Sequence, residues 1–261
     1  MRRIVPTALA FFYACSHAPE ASTPPAKTLA SAAPVTENTA SLPRPSSQKV
    51  IVAPLVEMAA PAPPKHTIDM TKVKIALHVG DSEVGYASGL CVPLGAKFRA
   101  RGIEFHTDSW TSAGLQTVAN GDKLEKLIAL FKPDVLLLNL GTNNLGYPNA
   151  DALADMARAV AKKSTAVKQC IWIGPPHLPS GDKTEARVVK VLAENAAPCI
   201  YFDSQALDLP LQGDKIHPDG TGAARWATNL WTVLVDGAAP PGPFRSGMGA
   251  TASSILFATR D

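Results

Sequence analysis

The chain has 261 residues, 46% of them hydrophobic, enough to bury the core of one α/β domain. Its formal net charge of +3 is too small to argue for nucleic acid, and no Lys/Arg-rich run or aromatic-basic stripe adds to it. Nucleic-acid binding is therefore not expected.

Residues 1–15 have the plan of an export signal. Arg2 and Arg3 precede an apolar run from Ile4 to Ala14 that is too short to remain in a bilayer as a spanning helix. The run ends at Phe12-Tyr13-Ala14-Cys15-Ser16, which loosely resembles a bacterial lipoprotein cleavage box, with Cys15 as the residue to be lipidated. Phe12 and Tyr13 stand where such a box usually has Leu and a small residue, so ordinary signal cleavage and no export stay open beside lipidation. Residues 16–65 are rich in Pro, Ala, Ser and Thr and lack a helical or strand period. Such a stretch buries too little surface to offset its conformational entropy and reads as a disordered, proline-stiffened tether.

Residues 66–236 read as the folded domain. Short apolar runs at 73–79, 103–107, 135–140, 171–173 and 200–202 predict five strands. Helical patterns predict helices at 90–101, up to 131, at 150–164 and at 183–195, with a last helix opened by Pro218. The run at 135–140 is apolar throughout, as in a strand covered on both faces. Strands alternating with helices imply a parallel sheet with right-handed crossovers. Residues 237–261 become Gly/Pro/Ala-rich, and most of them are expected to be disordered or loosely packed.

In such a sheet the ligand site lies beyond the carboxyl ends of the strands, and the chemically informative residues fall there. Gly80-Asp81-Ser82 follows the first strand, Gly114 lies beyond the second, Gly141-Thr142-Asn143-Asn144 follows the third, and Asp214-Lys215-Ile216-His217 follows the fifth. A serine hydroxyl is a poor nucleophile until a neighbouring base takes its proton. The Asp214-x-x-His217 segment supplies a base and a carboxylate to orient it.

These four blocks in this order resemble the SGNH (GDSL-type) hydrolase and esterase family across roughly residues 74–231. The resemblance implies a three-layer α/β/α sandwich with a five-stranded parallel sheet, flavodoxin-like in arrangement. It implies Ser82 as nucleophile, His217 as general base and Asp214 as the carboxylate orienting it. The backbone N–H groups of Ser82 and Gly114 and the side-chain amide of Asn143 would form the oxyanion hole. Asn144 stands where many relatives have Asp, which removes a charge near the site. The implied activity is hydrolysis of a small acyl ester, with acetyl on a cell-envelope carbohydrate as the expected substrate and no cofactor. A catalytically silent carbohydrate-binding relative or an envelope scaffold is the alternative. Expected partners are a small-molecule or polysaccharide ester and, through a lipidated Cys15, a membrane surface.

The other reactive residues have plainer readings. Asp81 reads as a loop-stabilising acceptor, while His78 and His106 read as packed or edge histidines within strands. His177, after Pro175 and Pro176, lies near the rim of the expected site, where contact with substrate stays open. The histidine spacing contains no HExxH and the cysteines no CxxC, so a metal is not expected. Cys170 and Cys199 each stand just before an apolar strand. With strands four and five adjacent in the expected sheet, the two thiols meet at the edge away from the site, as a disulfide or as two buried free thiols. Cys91 reads as a buried helix residue.

Overall fold

The computed structural model describes residues 68–85, 88–179, 183–238, 240–245 and 256–257. Cys15 and the tether at 16–65 lie outside the described residues.

Five strands are parallel: β1 (Ile75–Gly80), β2 (Glu104–Ser109), β3 (Val135–Asn139), β4 (Gln169–Ile173) and β5 (Ile200–Phe202), in spatial order β2-β1-β3-β4-β5. This is the flavodoxin-like order with β1 and β3 at the centre. The tail adds what the sequence reading did not expect. Residues 256–257 form a short β6 (Leu256–Phe257) that pairs antiparallel with β5. Residues 240–245 also return to the domain: Asp208 N donates to Pro243 O, Asn229 exchanges hydrogen bonds with Gly242, and Phe244 bridges to Leu207. The expectation of a loosely packed tail is corrected for these segments, whose backbone groups find partners on the fold.

Seven helices among the described residues cover the sheet: α1 (Ser82–Gly85), α2 (Cys91–Arg99), α3 (Leu115–Asn120), α4 (Lys123–Phe131), α5 (Ala150–Lys163), α6 (Lys183–Asn195) and α7 (Gly220–Leu234). Strand periodicity divides the core between the two sheet faces. Leu77, Val79, Leu136, Leu138 and Trp172 point to one side, where α3, α4, α5 and α6 bring Leu115, Leu124, Leu153, Val160, Val188 and Leu192. Ala76, Val135, Leu137, Ile171 and Ile173 point to the other, where α2 and α7 bring Leu94, Phe98, Trp226 and Leu230. Each such fully buried large apolar side chain contributes on the order of 1.5–3 kcal/mol. The two fully buried indoles are also satisfied: Trp172 Nε1 donates to Leu140 O at 3.0 Å and Trp226 Nε1 to Ser204 Oγ at 2.8 Å.

The start of the last helix differs from expectation. Pro218 does not open α7; Asp219 caps it, its carboxylate accepting from Gly222 N at 2.8 Å. Pro218 instead bridges back to Leu211, because the chain from 211 to 218 closes as a loop around the Asp214 segment. Cys170 and Cys199 form a disulfide joining β4 to the residue before β5, and Cys91 is buried outside it.

Candidate active site

The exit of β1 sets the position of Ser82. Asp81 N donates to Asn139 O at 3.1 Å, which ties the turn to β3. A side chain at Gly80 would put its Cβ 2.0 Å from Asn139 O and 2.8 Å from Val84 Cγ2, so only glycine lets the chain turn this close to its neighbour. Asp81 then turns inward. Its Oδ1 accepts from Glu83 N at 3.1 Å while its backbone O accepts from Val84 N, and Ser82 emerges half-buried at the first position of α1. Burial pushes the Asp81 carboxyl up to about 7, against the N–H groups of Glu83, Gly141 and Thr142, which favour its ionised form. Of these only Glu83 N has full hydrogen-bond geometry with a side-chain oxygen.

The second loop is built around a carboxylate. Asp214 Oδ1 accepts from Ile216 N at 2.9 Å and His217 N at 3.1 Å, and Lys215 takes a positive φ of 60° to close the turn. Asp214 Oδ2 lies 2.7 Å from His217 Nδ1, and His217 Nε2 lies 2.8 Å from Ser82 Oγ. Burial would raise the Asp214 carboxyl, but hydrogen bonds from the His217 ring and from the N–H groups of Ile216 and His217 outweigh it and hold the carboxyl below its ordinary range. An ionised carboxylate only accepts, so Nδ1 carries the proton and Nε2 is left to accept the Ser82 hydroxyl proton.

Two residues that carry no motif hold this loop against the fold: Gln212 and Ser88. Gln212 Nε2 donates to Ser88 Oγ at 2.7 Å and to Pro218 O at 3.0 Å, and Ser88 Oγ donates to Pro218 O at 3.1 Å. Nothing in the sequence marks either residue, because their value lies in a contact across more than a hundred positions. Glu83 carries no motif role either, although a carboxyl directly after Ser82 is visible in the sequence. Its side chain is buried, and burial, with the charges of Asp81 and Asp214 added, pushes it well above the usual range.

Gly114 and Asn143 come together beside this centre. Asn143 Nδ2 donates to Ala113 O at 3.1 Å, which leaves the amide's second hydrogen for another acceptor. Gly114 is the N-cap of α3, and its position is fixed through Asn144, which is 5% exposed and whose Oδ1 accepts from Leu115 N at 2.9 Å. Where the resemblance marks a missing charge, the amide thus makes a specific contact. The backbone N–H groups of Ser82 and Gly114 have no acceptor among the described residues. His78 is fully buried in β1, and His106 stacks on Phe131 with ring centres 4.0 Å apart, so neither joins the site. Among the described residues no cluster of His, Cys, Asp or Glu could hold a metal ion, and no helix is long and apolar enough to cross a membrane.

In the order and meeting of its four blocks, the chain resembles an SGNH hydrolase. No family model and no curated protein matches the sequence. Solved structures similar to the chain include an acetyl xylan esterase, AlAXEase, at 16% identity and a TM-score of 0.49, covering 62% of this chain and 100% of that one. TesA is similar at 20% identity and a TM-score of 0.49, covering 60% and 96%. A Clostridium thermocellum family 3 carbohydrate esterase is similar at 15% identity and a TM-score of 0.46, covering 61% and 94%. At such identities the chemistry is read from this chain's own side chains.

Proposed function

We propose that the protein is a serine esterase that hydrolyses a small acyl ester through an acyl-enzyme on Ser82. The observation that carries this reading is the continuous hydrogen-bonded chain Ser82 Oγ, His217 Nε2, His217 Nδ1, Asp214 Oδ2, with both links at or below 2.8 Å. As Ser82 Oγ attacks the ester carbonyl carbon, its proton passes to His217 Nε2, and Asp214 stabilises the imidazolium that forms. Negative charge develops on the carbonyl oxygen, where the N–H groups of Ser82 and Gly114 and the free amide hydrogen of Asn143 are available as donors. The imidazolium then protonates the departing alcohol. Water, activated by the same ring, cleaves the acyl-enzyme and restores Ser82.

The reading extends to an acetyl or similarly short acyl group on a cell-envelope carbohydrate. Its support is the basic and apolar segment at 1–15 followed by a proline-rich tether, which suit an exported domain held off a membrane by a lipidated Cys15. Ile216, 41% exposed beside His217, is one of few large apolar side chains on the described surface, and so small an apolar area suits a short acyl group better than a long one.

Labelling of the full-length chain with a fluorophosphonate, alongside p-nitrophenyl acetate turnover, tests the esterase reading. Ser82→Ala should abolish labelling and lower turnover roughly 10³-fold or more while the fold persists. A well-folded parent chain that neither labels nor turns over would leave a silent binding module as the better reading.

A further inference from the structure

A second histidine–carboxylate pair stands at the same end of the sheet. The segment after β4 is firmly held: Gly174 N donates to Phe202 O at 2.9 Å, and Gln205 Nε2 donates to the carbonyls of Pro175 at 3.1 Å and Pro176 at 3.0 Å. Pro175 packs on Gly141, where an added Cβ would come within 3.3 Å of Pro175 Cδ, so this segment abuts the turn that carries Asn143. The next residue is His177. Its Nδ1 lies 3.0 Å from Glu185 Oε1 in the first turn of α6, and the same oxygen accepts from Leu178 N at 3.2 Å.

Burial differs sharply within the pair. The Glu185 side chain is 4% exposed, the His177 ring 27%. In the tautomer whose Nδ1–H donates to Glu185 Oε1, Nε2 is left as an acceptor. Glu185 Oε2 is buried and has no partner among the described residues, which leaves the pair able to take one more donor. The arrangement orients a ring the way Asp214 orients His217, yet among the described residues no nucleophile is bonded to it.

We propose that His177, held in place by Glu185, is a specificity residue of the esterase: it accepts a hydrogen bond from a hydroxyl of the alcohol side of the substrate and so selects polyhydroxylated acceptors such as sugars. This rests on the esterase reading above. Glu185 is a positioning residue acting through the ring, and its effect depends on accepting the Nδ1 hydrogen rather than on its charge.

The test compares kcat/KM for 6-O-acetylglucose with that for p-nitrophenyl acetate, whose leaving group has no free hydroxyl, using full-length chains. In His177→Ala the ratio of sugar ester to aryl ester should fall about tenfold, chiefly through KM, the loss expected for one hydrogen bond. Glu185→Ala should follow it, and Glu185→Gln, whose side-chain oxygen still accepts from Nδ1, should restore most of the ratio. An unchanged ratio in a His177→Ala chain that melts with the parent would overturn the proposal, as would an equal loss on both esters. If Glu185→Ala does not fold, His177→Ala and Glu185→Gln decide the matter. A parent inactive on p-nitrophenyl acetate would instead remove the esterase reading, and this inference with it.

Discussion

His78 lies in the middle of β1 with neither ring nitrogen bonded among the described residues, and burial pushes it down from its ordinary 6.5 to about 3. It is neutral at pH 7. Once unfolded it takes up a proton below 6.5, so its contribution to stability is complete above that pH and is lost as pH falls toward 3, by up to about 1.4 kcal/mol per unit. Asp81 has the opposite sign. Raised from 3.8 to about 7, it keeps its proton in the folded state where the unfolded chain has lost it, so its contribution is present at low pH and disappears as pH rises through that window. The two trends oppose each other between roughly pH 4 and 6.5. Replacing His78 with Leu removes one of them: urea midpoints should show the variant's advantage over the parent widening as pH falls from 6.5 to 4. A constant difference across that range would mean the ring is not held neutral by burial.

At the scale of elements, the site depends on a few tight junctions between strands and turns. The β1 exit passes so close to β3 that Gly80 has no room for a methyl group, and the nearest atom is a backbone oxygen already engaged by Asp81 N. Gly80→Ala should therefore lower stability by roughly 2–3 kcal/mol and reduce fluorophosphonate labelling even at equal folded fraction, because the turn that presents Ser82 must shift. Parent-like stability and labelling would show that the junction has slack. The start of α7 illustrates a different competition. Pro218 fits the first position of a helix, yet the loop needs it earlier, bridging to Leu211, and Asp219 takes over the cap. Local propensity allowed both starts, and the loop around Asp214 chose between them.

At the scale of the molecule, the Ser82–His217–Asp214 cluster and the disulfide occupy opposite ends of the sheet. Ser82 follows the carboxyl end of β1, whereas Cys170 stands near the start of β4 and Cys199 just before β5. The bridge spans 29 positions, and in the chain-entropy view closing a loop of that length stabilises the fold by about 3.6 kcal/mol. Replacing both cysteines with Ala should lower unfolding free energy by about that amount while p-nitrophenyl acetate turnover persists at temperatures where the chain stays folded. A loss of turnover without a loss of stability would contradict this separation.

The sequence by itself determined the α/β alternation, the placement of Ser82, Gly114, Asn143 and the Asp214–His217 segment at strand exits, and the pairing partners open to Cys170 and Cys199. These are encoded locally, by apolar runs, by glycine before the nucleophile and by a carboxylate three positions before a histidine. Tertiary structure decided what depends on distant residues meeting: the anchoring of the His217 loop by Gln212 and Ser88, the fixing of Gly114 by Asn144, the pairing of His177 with Glu185, and the return of residues 240–245 and 256–257 to the fold. Each is a contact between polar or backbone groups whose partner lies elsewhere in the chain, and a side chain's own type and spacing say nothing about which distant atom will satisfy it.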